Sequence, residues 1–365
     1  MSVSPLLLIT EGIRVVSSKR VGSPGTGPVS DPLMRALGFA ATVAVLLARP
    51  EALLARPLKV GPGEEFPSPA TAAGFAADGD VVEIQAGHYP ADVAIWRANR
   101  LTIRGVGGRP HITADGRHAE GKAIWVIQGD DVTIENVEMS GARVPDGNGA
   151  AIRAEGRNLT LRRVYFHDNE NGLLAGKRLP GSVMTIEDSE FARNGAGDGQ
   201  THNLYVGGVD ELVVRGCYLH HARSGQQVKS RAATTRILNS VLADGPDGNS
   251  SYLVDLSNGG QAFLTGNLLQ QGPRTENFHL VSYGHEGIRH PRNALVVRDN
   301  TFINDRPGGG VFLRNVGASE VTVVNNRFYG KGEFVGDMGI FEGNVRLPRP
   351  PTGSLDSGAV EQWRK

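Results

Sequence analysis

The chain has 365 residues, and its 49 glycines with only 6% aromatic residues favour a β-rich protein with many tight turns over a helix bundle. Thirty-eight basic residues balance thirty-eight acidic ones, which excludes an overall field that attracts nucleic acid or an anionic membrane but leaves room for a local cationic groove. The length fits one large domain or two ordinary ones.

The N-terminal part of the chain predicts export. Residues 1–33 lack hydrophobic periodicity and are interpreted as a disordered upstream extension, whereas residues 34–55 combine a charged start, an apolar run and a small final residue, as export signals do. The uninterrupted apolar run, Ala36–Ala48, has 13 residues, too few to span a bilayer comfortably. A cleaved signal and a periplasmic or extracellular protein starting near Arg56 are therefore expected, the alternative being an N-terminal helix of the fold.

Short segments with a similar pattern, an apolar residue followed by a turn, recur along the rest of the chain. Each contains an apolar marker residue before a turn, and the markers lie 23 to 33 residues apart: Met139, Phe166, Phe191, Leu219, Leu242, Leu269, Phe302 and Phe328. Strand-like runs precede most of them, and one unit cannot bury its apolar face alone, whereas stacked units bury a continuous column. The sequence therefore predicts an all-β, single-domain parallel β-helix over residues 56–345, followed by a loosely ordered Pro-rich tail at 346–365.

Small and polar residues at the predicted turns fit this architecture. Asparagine tolerates left-handed backbone angles and can hydrogen-bond to its counterpart on the next coil. The single cysteine, Cys217, cannot form an internal disulfide and lies where neighbouring units have small residues. It is interpreted as a buried packing residue rather than a reactive one.

The segment GDVVEIQAGHYPADVAIWRANRLTIRGVGG, residues 79–108, resembles the first turns of right-handed parallel β-helix proteins of the pectate-lyase-like superfamily. The resemblance covers roughly residues 60–330 and implies a right-handed solenoid. It leaves the chemistry open, because one fold hosts many functions.

The central units contain a candidate site. In three of them an apolar residue is predicted to face the core: Leu204, Val228 and Val254. The residues that follow, Tyr205, Lys229 and Asp255, would then face outward in one column, because equivalent positions stack about 4.8 Å apart on consecutive coils. His202 and Arg231 are expected beside this column.

The fourth unit, residues 277–287, has two possible registers. If Phe278, Leu280 and Ser282 face inward, His279 and Tyr283 face outward and extend the column. A shift by one residue would bury them instead.

Lys229 and Arg231 point the same way from one short strand, which makes most sense if an anion lies above them. The alternative is that Lys229 pairs with Asp255 and Arg231 is solvated. Proton removal at C5 of a uronic acid needs a base, a cation at the sugar carboxylate and a proton donor for the leaving oxygen. These roles are assigned to Lys229, to Arg231, and to Tyr205 with His202 or His279.

The predicted substrate-binding residues surround this column: Asp255, Asn258, Tyr283, His285 and Arg236. The expected partner is an acidic polysaccharide or oligosaccharide, with neither nucleic acid nor, after signal removal, a membrane as partner. No oligomeric state is predicted.

The segment SGQQVKSRAATTRILNS, residues 224–240, resembles a turn of the polysaccharide lyases that include alginate lyases and chondroitinase B. The positions that fit are Lys229, Ser230, Arg236 and Asn239. The resemblance implies that Lys229 is the base of a lyase acting by β-elimination.

Two departures from that family bear on the chemistry. Gln226 and Gln227 stand where the family has calcium-holding glutamates, so neither a metal nor another cofactor is expected. Asp255 stands where the family has a catalytic arginine one turn further on, so Arg231 would have to neutralise the carboxylate.

Other functions remain open from the sequence. A non-catalytic carbohydrate-binding or cell-surface protein would share the fold, a glycoside hydrolase would need a second acid beside Asp255, and a uronate epimerase would share the proton abstraction. Imidazoles could converge on zinc or copper, but the spacing of the six histidines in this region favours ordinary polar surface: His202, His220, His221, His279, His285 and His290.

Overall fold

The computed structural model describes residues 57–275 and 277–348, which form a parallel β-helix of three sheets. From Val81 onward the strands enter sheet 1, sheet 2 and sheet 3 in turn. The predicted N-terminal extension, the export signal and the tail from residue 349 lie outside the described residues. In the described part, no helix is both long and apolar enough to cross a membrane.

The strands are short, and each pairs in parallel with its counterparts on the neighbouring coils. Sheet 1 consists of Pro57–Val60, Val81–Gln85, Thr102–Val106, Thr133–Glu135, Thr160–Arg162, Leu179–Glu187, Val209–Arg215, Thr234–Leu238, Gln261–Thr265, Ala294–Arg298, Glu320–Val324 and Ile340–Glu342. Sheet 2 consists of His88–Pro90, His111–Thr113, Glu138–Ser140, Tyr165–His167, Glu190–Ala192, Tyr218–His220, Val241–Ala243, Leu268–Gln271, Thr301–Asn304, Arg327–Gly330 and Val345–Leu347. Sheet 3 consists of Ala94–Trp96, Ala123–Ile127, Ala150–Ala154, Asn171–Ala175, Leu204–Val206, Val228–Ser230, Val254–Leu256, His279–Tyr283, Val311–Asn315 and Glu333–Val335.

The one helix among the described residues, Pro69–Ala73, packs against the first strand of sheet 3. Ser68 caps it by accepting a hydrogen bond from the Thr71 amide, and proline occupies the first helical position, where no amide hydrogen is needed. The Asp92 carboxylate accepts a further bond from the Ala70 amide at 3.0 Å. These bonds satisfy amides that so short a helix leaves without internal partners.

All eight apolar markers lie in register on sheet 2, which confirms the repeat predicted from their spacing. Every marker is buried inside the solenoid. Phe166 packs edge-on against Phe191 at 5.4 Å, and Phe302 stacks on Phe328 at 4.9 Å. The core is therefore a continuous column in which each coil packs on its neighbours.

A left-handed residue turns the chain from sheet 1 into sheet 2 on successive coils. Asn136, Asn239 and Asn325 have φ angles of 54°, 47° and 56° there, as the predicted tolerance of asparagine allows. The next residue points inward, and in the last coils it forms a hydrogen-bonded ladder: Asn267, Asn300, Asn326 and Asn344. Cys217 occupies the same position, fully buried, and burial raises the pKa of its thiol to about 12.

Replacing Asn300 by alanine is expected to destabilise the fold by about 1–3 kcal/mol, because buried partners lose their hydrogen bonds. The Asn300 side chain accepts from Asn267 and donates to Asn326 and to the Leu264 carbonyl. Urea unfolding of the variant measures the loss. Asn249→Ala, which changes an exposed asparagine, should stay within about 0.5 kcal/mol of the parent. Equal unfolding midpoints for the two variants would contradict the role of the ladder.

Candidate functional site

Three side chains form a column on the outer face of sheet 3. Tyr205 pairs in register with Lys229, and Lys229 with Asp255. The residues before them face the core and are fully buried: Leu204, Val228 and Val254. The predicted register of these strands is confirmed, since a residue that points inward leaves its neighbour pointing out.

The fourth strand, His279–Tyr283, adopts the register in which Tyr283 points into the core. Val281 pairs with Val254, and Ser282 follows Asp255 in the column. Tyr283 points inward and is fully buried, with its hydroxyl donating to the Gly260 carbonyl at 2.6 Å. Burial raises its pKa to about 12. The expectation that Tyr283 binds substrate is therefore wrong.

Glu286 supplies the anion expected above the two cations. Its carboxylate lies 3.1 Å from Lys229 Nζ through one oxygen and 2.6 Å from Arg231 Nη2 through the other. Burial opposes ionisation, but the bonds from Arg231 and Lys229 lower the pKa of Glu286 below its ordinary value. Arg231 is therefore paired with Glu286. The alternative from the sequence, in which Arg231 is only solvated, is wrong.

Sequence reasoning missed Glu286 because it lies 57 residues from Lys229 along the chain. A signal was present. Arg231 directly follows its sheet 3 strand, and Glu286 lies in the turn after the strand that ends at Tyr283, two coils later. An acidic and a basic side chain at nearly equivalent positions of nearby coils can approach each other, as Glu286 and Arg231 do here.

Asp255, the third residue of the column, is fully buried. Its carboxylate lies 3.4 Å from Lys229 Nζ and 3.3 Å from His285 Nδ1. Burial raises the pKa of Asp255, although Lys229 and His285 oppose the shift. A buried carboxylate cannot touch a sugar, so the predicted substrate-binding role is wrong, and Asp255 instead positions Lys229 and His285.

Arg231 connects the column to an open groove of about 270 Å³. Its Nε donates to the Tyr205 hydroxyl oxygen at 3.0 Å, and its Nη1 donates to Asn258 Oδ1 at 2.7 Å. Arg178 and Arg289, both exposed, line the same groove. The lining therefore has three arginines and no acid, which favours an anionic ligand.

The two histidines predicted as proton-transfer groups are poorly suited to that role. His202 is buried, accepts a hydrogen bond from the Gln226 amide, and has its pKa lowered to about 3 by burial. The expectation that His202 reaches substrate is wrong. His279 is half-buried at the start of its strand, outside the column, and burial with the charge of Arg314 lowers its pKa to about 4.

The predicted substrate-binding residues Arg236 and His285 lie in different places. Arg236 lies on sheet 1, where it pairs with Glu211 at 2.6 Å and covers the ring of Phe263, so its predicted place at the site is wrong. His285 belongs to the charge network and stacks on Tyr252 with ring centroids 5.4 Å apart. Its role in substrate binding stays a prediction.

Comparisons with known proteins identify the fold. A family model for the right-handed β-helix region matches residues 95–269. The crystal structure of pectate lyase Pel9A is 13% identical, with a TM-score of 0.55, over 79% of this chain and 77% of that one. The ORF18 protein of Geobacillus virus E2 is 14% identical, with a TM-score of 0.47, over 74% of this chain. A PL6 family alginate lyase, AlyGC, is 12% identical, with a TM-score of 0.32, over 81% of this chain.

The chain spans 54% of the length of the viral protein and 54% of the alginate lyase. No curated protein sequence matches it. At these identities the likeness extends to the architecture, so the chemistry has to be argued from the side chains on sheet 3.

Proposed function

Because the chain is a right-handed parallel β-helix protein with a cationic groove on sheet 3, we propose that it cleaves an acidic, uronate-containing polysaccharide by β-elimination. Export by the predicted signal at residues 34–55 would bring it to such polymers outside the cytoplasm.

The observation that carries the proposal is the carboxylate held between Lys229 and Arg231. Glu286 occupies this place with an oxygen toward each cation. It lies in a turn with about a third of its side chain exposed, so a substrate carboxylate can take its place without disrupting the core. Two cations at a uronate carboxylate stabilise the negative charge that develops when C5 loses its proton.

Tyr205 is the proton-transfer group that the geometry favours over Lys229. Lys229 lies within 3.4 Å of two carboxylates and therefore acts as a cation at the substrate. The Tyr205 oxygen accepts a hydrogen bond from the Arg231 guanidinium, which stabilises a phenolate. It also lines the groove in which the sugar would lie.

In the proposed step, the Tyr205 phenolate takes the proton from C5 of the uronate. The electron pair of the C5–H bond forms the C4–C5 double bond, and the C4–O4 bond breaks. The leaving oxygen then takes the proton from Tyr205, which regenerates the phenolate and balances the step. The products are a new chain end and an unsaturated uronate.

Hydrolysis fits the site less well. A glycoside hydrolase needs two carboxyl groups that reach the scissile bond. Of the two acids in the described network, Asp255 is buried and only Glu286 reaches the surface.

Incubation with a panel of uronate polymers, followed at the absorbance of the unsaturated product, tests the proposal. We expect the absorbance to rise with at least one uronate polymer and to stay flat with a neutral glucan of similar size. No rise on any acidic polymer would contradict cleavage by elimination. A changed C5 configuration without chain cleavage, seen by NMR, would instead show an epimerase, and binding without any product would show a carbohydrate-binding protein.

A further inference from the structure

A second group of polar side chains lies on the outer face of sheet 2, on the coils before the groove. His111, Glu138 and His167 come from three consecutive coils. Glu138 Oε1 lies 3.1 Å from His167 Nε2, and the same oxygen lies 3.6 Å from His111 Nδ1. Each of the three residues presents a metal-ligating atom to a common point.

Each histidine ring also hydrogen-bonds to a second neighbour through its other nitrogen. The Asp168 carboxylate can only accept, so His167 donates its Nδ1 proton to it at 2.8 Å, and His167 Nε2 faces Glu138 Oε1 at 3.1 Å. His111 Nε2 lies 2.8 Å from the Ser140 hydroxyl, and a donation there leaves the Nδ1 lone pair toward the same carboxylate. Two imidazole nitrogens and a carboxylate thus converge, and a metal ion bound by them would take the place of the proton between His167 Nε2 and Glu138.

The orienting carboxylate is itself held in place. Asp168 lies 2.7 Å from Arg193 and 2.7 Å from Arg223. A histidine that binds a metal usually donates its other ring proton to such a carboxylate, which sets the orientation of the ring.

The spacing of the three donors suits a small ion. Ligand atoms about 2.0–2.2 Å from a tetrahedral Zn²⁺ lie roughly 3.3–3.6 Å from one another. The two distances to Glu138 are 3.1 and 3.6 Å, and all three ligand atoms lie within 4.8 Å of one another. The side chains are between 14% and 31% exposed, so the point at which they converge is open to solvent on one side.

We propose that His111, Glu138 and His167 bind one divalent transition-metal ion of the zinc class. Three protein ligands leave a coordination position for water or a ligand oxygen, as in reactive zinc sites. The site goes beyond the proposed lyase function, since it lies on another sheet and uses none of the residues of the groove. It also departs from the absence of a metal expected from the sequence.

Two other groups in the described chain serve as internal controls. Asp255, His285 and Glu286 also converge, but Lys229 and Arg231 already neutralise that cluster and oppose a further cation. Glu190 lies 3.1 Å from His220 on sheet 2, which repeats the pair of Glu138 with His167. The position before Glu190 in the column is Tyr165, so this pair has no histidine in the place of His111.

Titration of the chelator-treated, full-length protein with Zn²⁺ in a calorimeter tests the proposal. We expect one ion per chain, and a loss of affinity of more than about 100-fold in Glu138→Gln, because removing a ligand costs more than removing an orienting partner. Ser140→Ala should weaken binding about 10-fold. Glu190→Gln and Glu286→Gln should bind Zn²⁺ like the parent.

Titration with Co²⁺ gives an independent, spectroscopic measurement. The parent and Glu190→Gln should show the visible absorption of a low-symmetry Co²⁺ site, and Glu138→Gln should not. Circular dichroism verifies folding, and His111→Gln decides the outcome if Glu138→Gln does not fold. Absence of Zn²⁺ binding in the parent, unchanged affinity in the ligand variants, or a loss confined to Glu286→Gln would overturn the proposal.

Discussion

Replacing Tyr205 by phenylalanine is expected to lower kcat for cleavage of a uronate polymer by about 10²–10⁴-fold, the usual worth of a positioned proton-transfer group. The change removes only the phenolic oxygen, to which Arg231 donates a hydrogen bond. The ring can keep its edge-on contact with His202, so the fold should be retained. Initial rates of formation of the unsaturated product measure the effect, with circular dichroism to verify folding.

A matched control is Tyr252→Phe, which removes a hydroxyl from a tyrosine that stacks on His285 outside the Arg231 contacts. Its kcat should stay within a few-fold of the parent. Full activity in Tyr205→Phe would exclude Tyr205 as the proton-transfer group. A loss of the same size in both variants would indicate a general effect of changing the surface near the network.

Replacing Lys229 by alanine is expected to destabilise the protein by about 3–5 kcal/mol, because the buried Asp255 carboxylate loses a charged partner. From the sequence alone both side chains are predicted to face outward, where losing an ion pair would cost at most about 1 kcal/mol. Urea unfolding followed by circular dichroism measures the change. Lys177→Ala, which removes an exposed lysine and leaves Glu155 paired with Lys122, should cost at most about 1 kcal/mol.

The double variant Lys229→Met with Asp255→Leu separates charge from packing. Replacing a buried ion pair by apolar residues is often neutral or stabilising, so the double variant should recover most of the lost stability. A double variant as unstable as Lys229→Ala would show that the lysine stem, and not its charge, supports the site.

Apolar periodicity makes this fold predictable. Phe166 and Phe302, with the other markers, occupy equivalent positions on their coils, so their spacing records the length of each coil directly. The three central strands alternate clearly, with apolar residues on both sides of Tyr205 and Asp255, and with buried Val228 and Ser230 on either side of Lys229. In the fourth strand, Leu280, Val281 and Tyr283 are all bulky, so both registers can bury apolar surface, and the sequence does not distinguish them.

Contacts between coils are harder to predict, because coils differ in length and turns carry side chains toward their neighbours. Glu286 was missed for this reason. His111, Glu138 and His167 were missed although a signal existed: each directly flanks a buried apolar residue of the column that contains the markers. Using the markers to align the outward residues as well as the inward ones would have brought these three together.

The stacked coils separate the two sites along the axis of the solenoid. The histidines of sheet 2 belong to coils that precede those of Tyr205, Lys229 and Glu286. Each coil is stabilised mainly by its contacts with the coils directly above and below it. Local unfolding of the coils of one site therefore need not unfold the coils of the other. Substitutions in the coils of one site should therefore leave the side-chain arrangement of the other site unchanged.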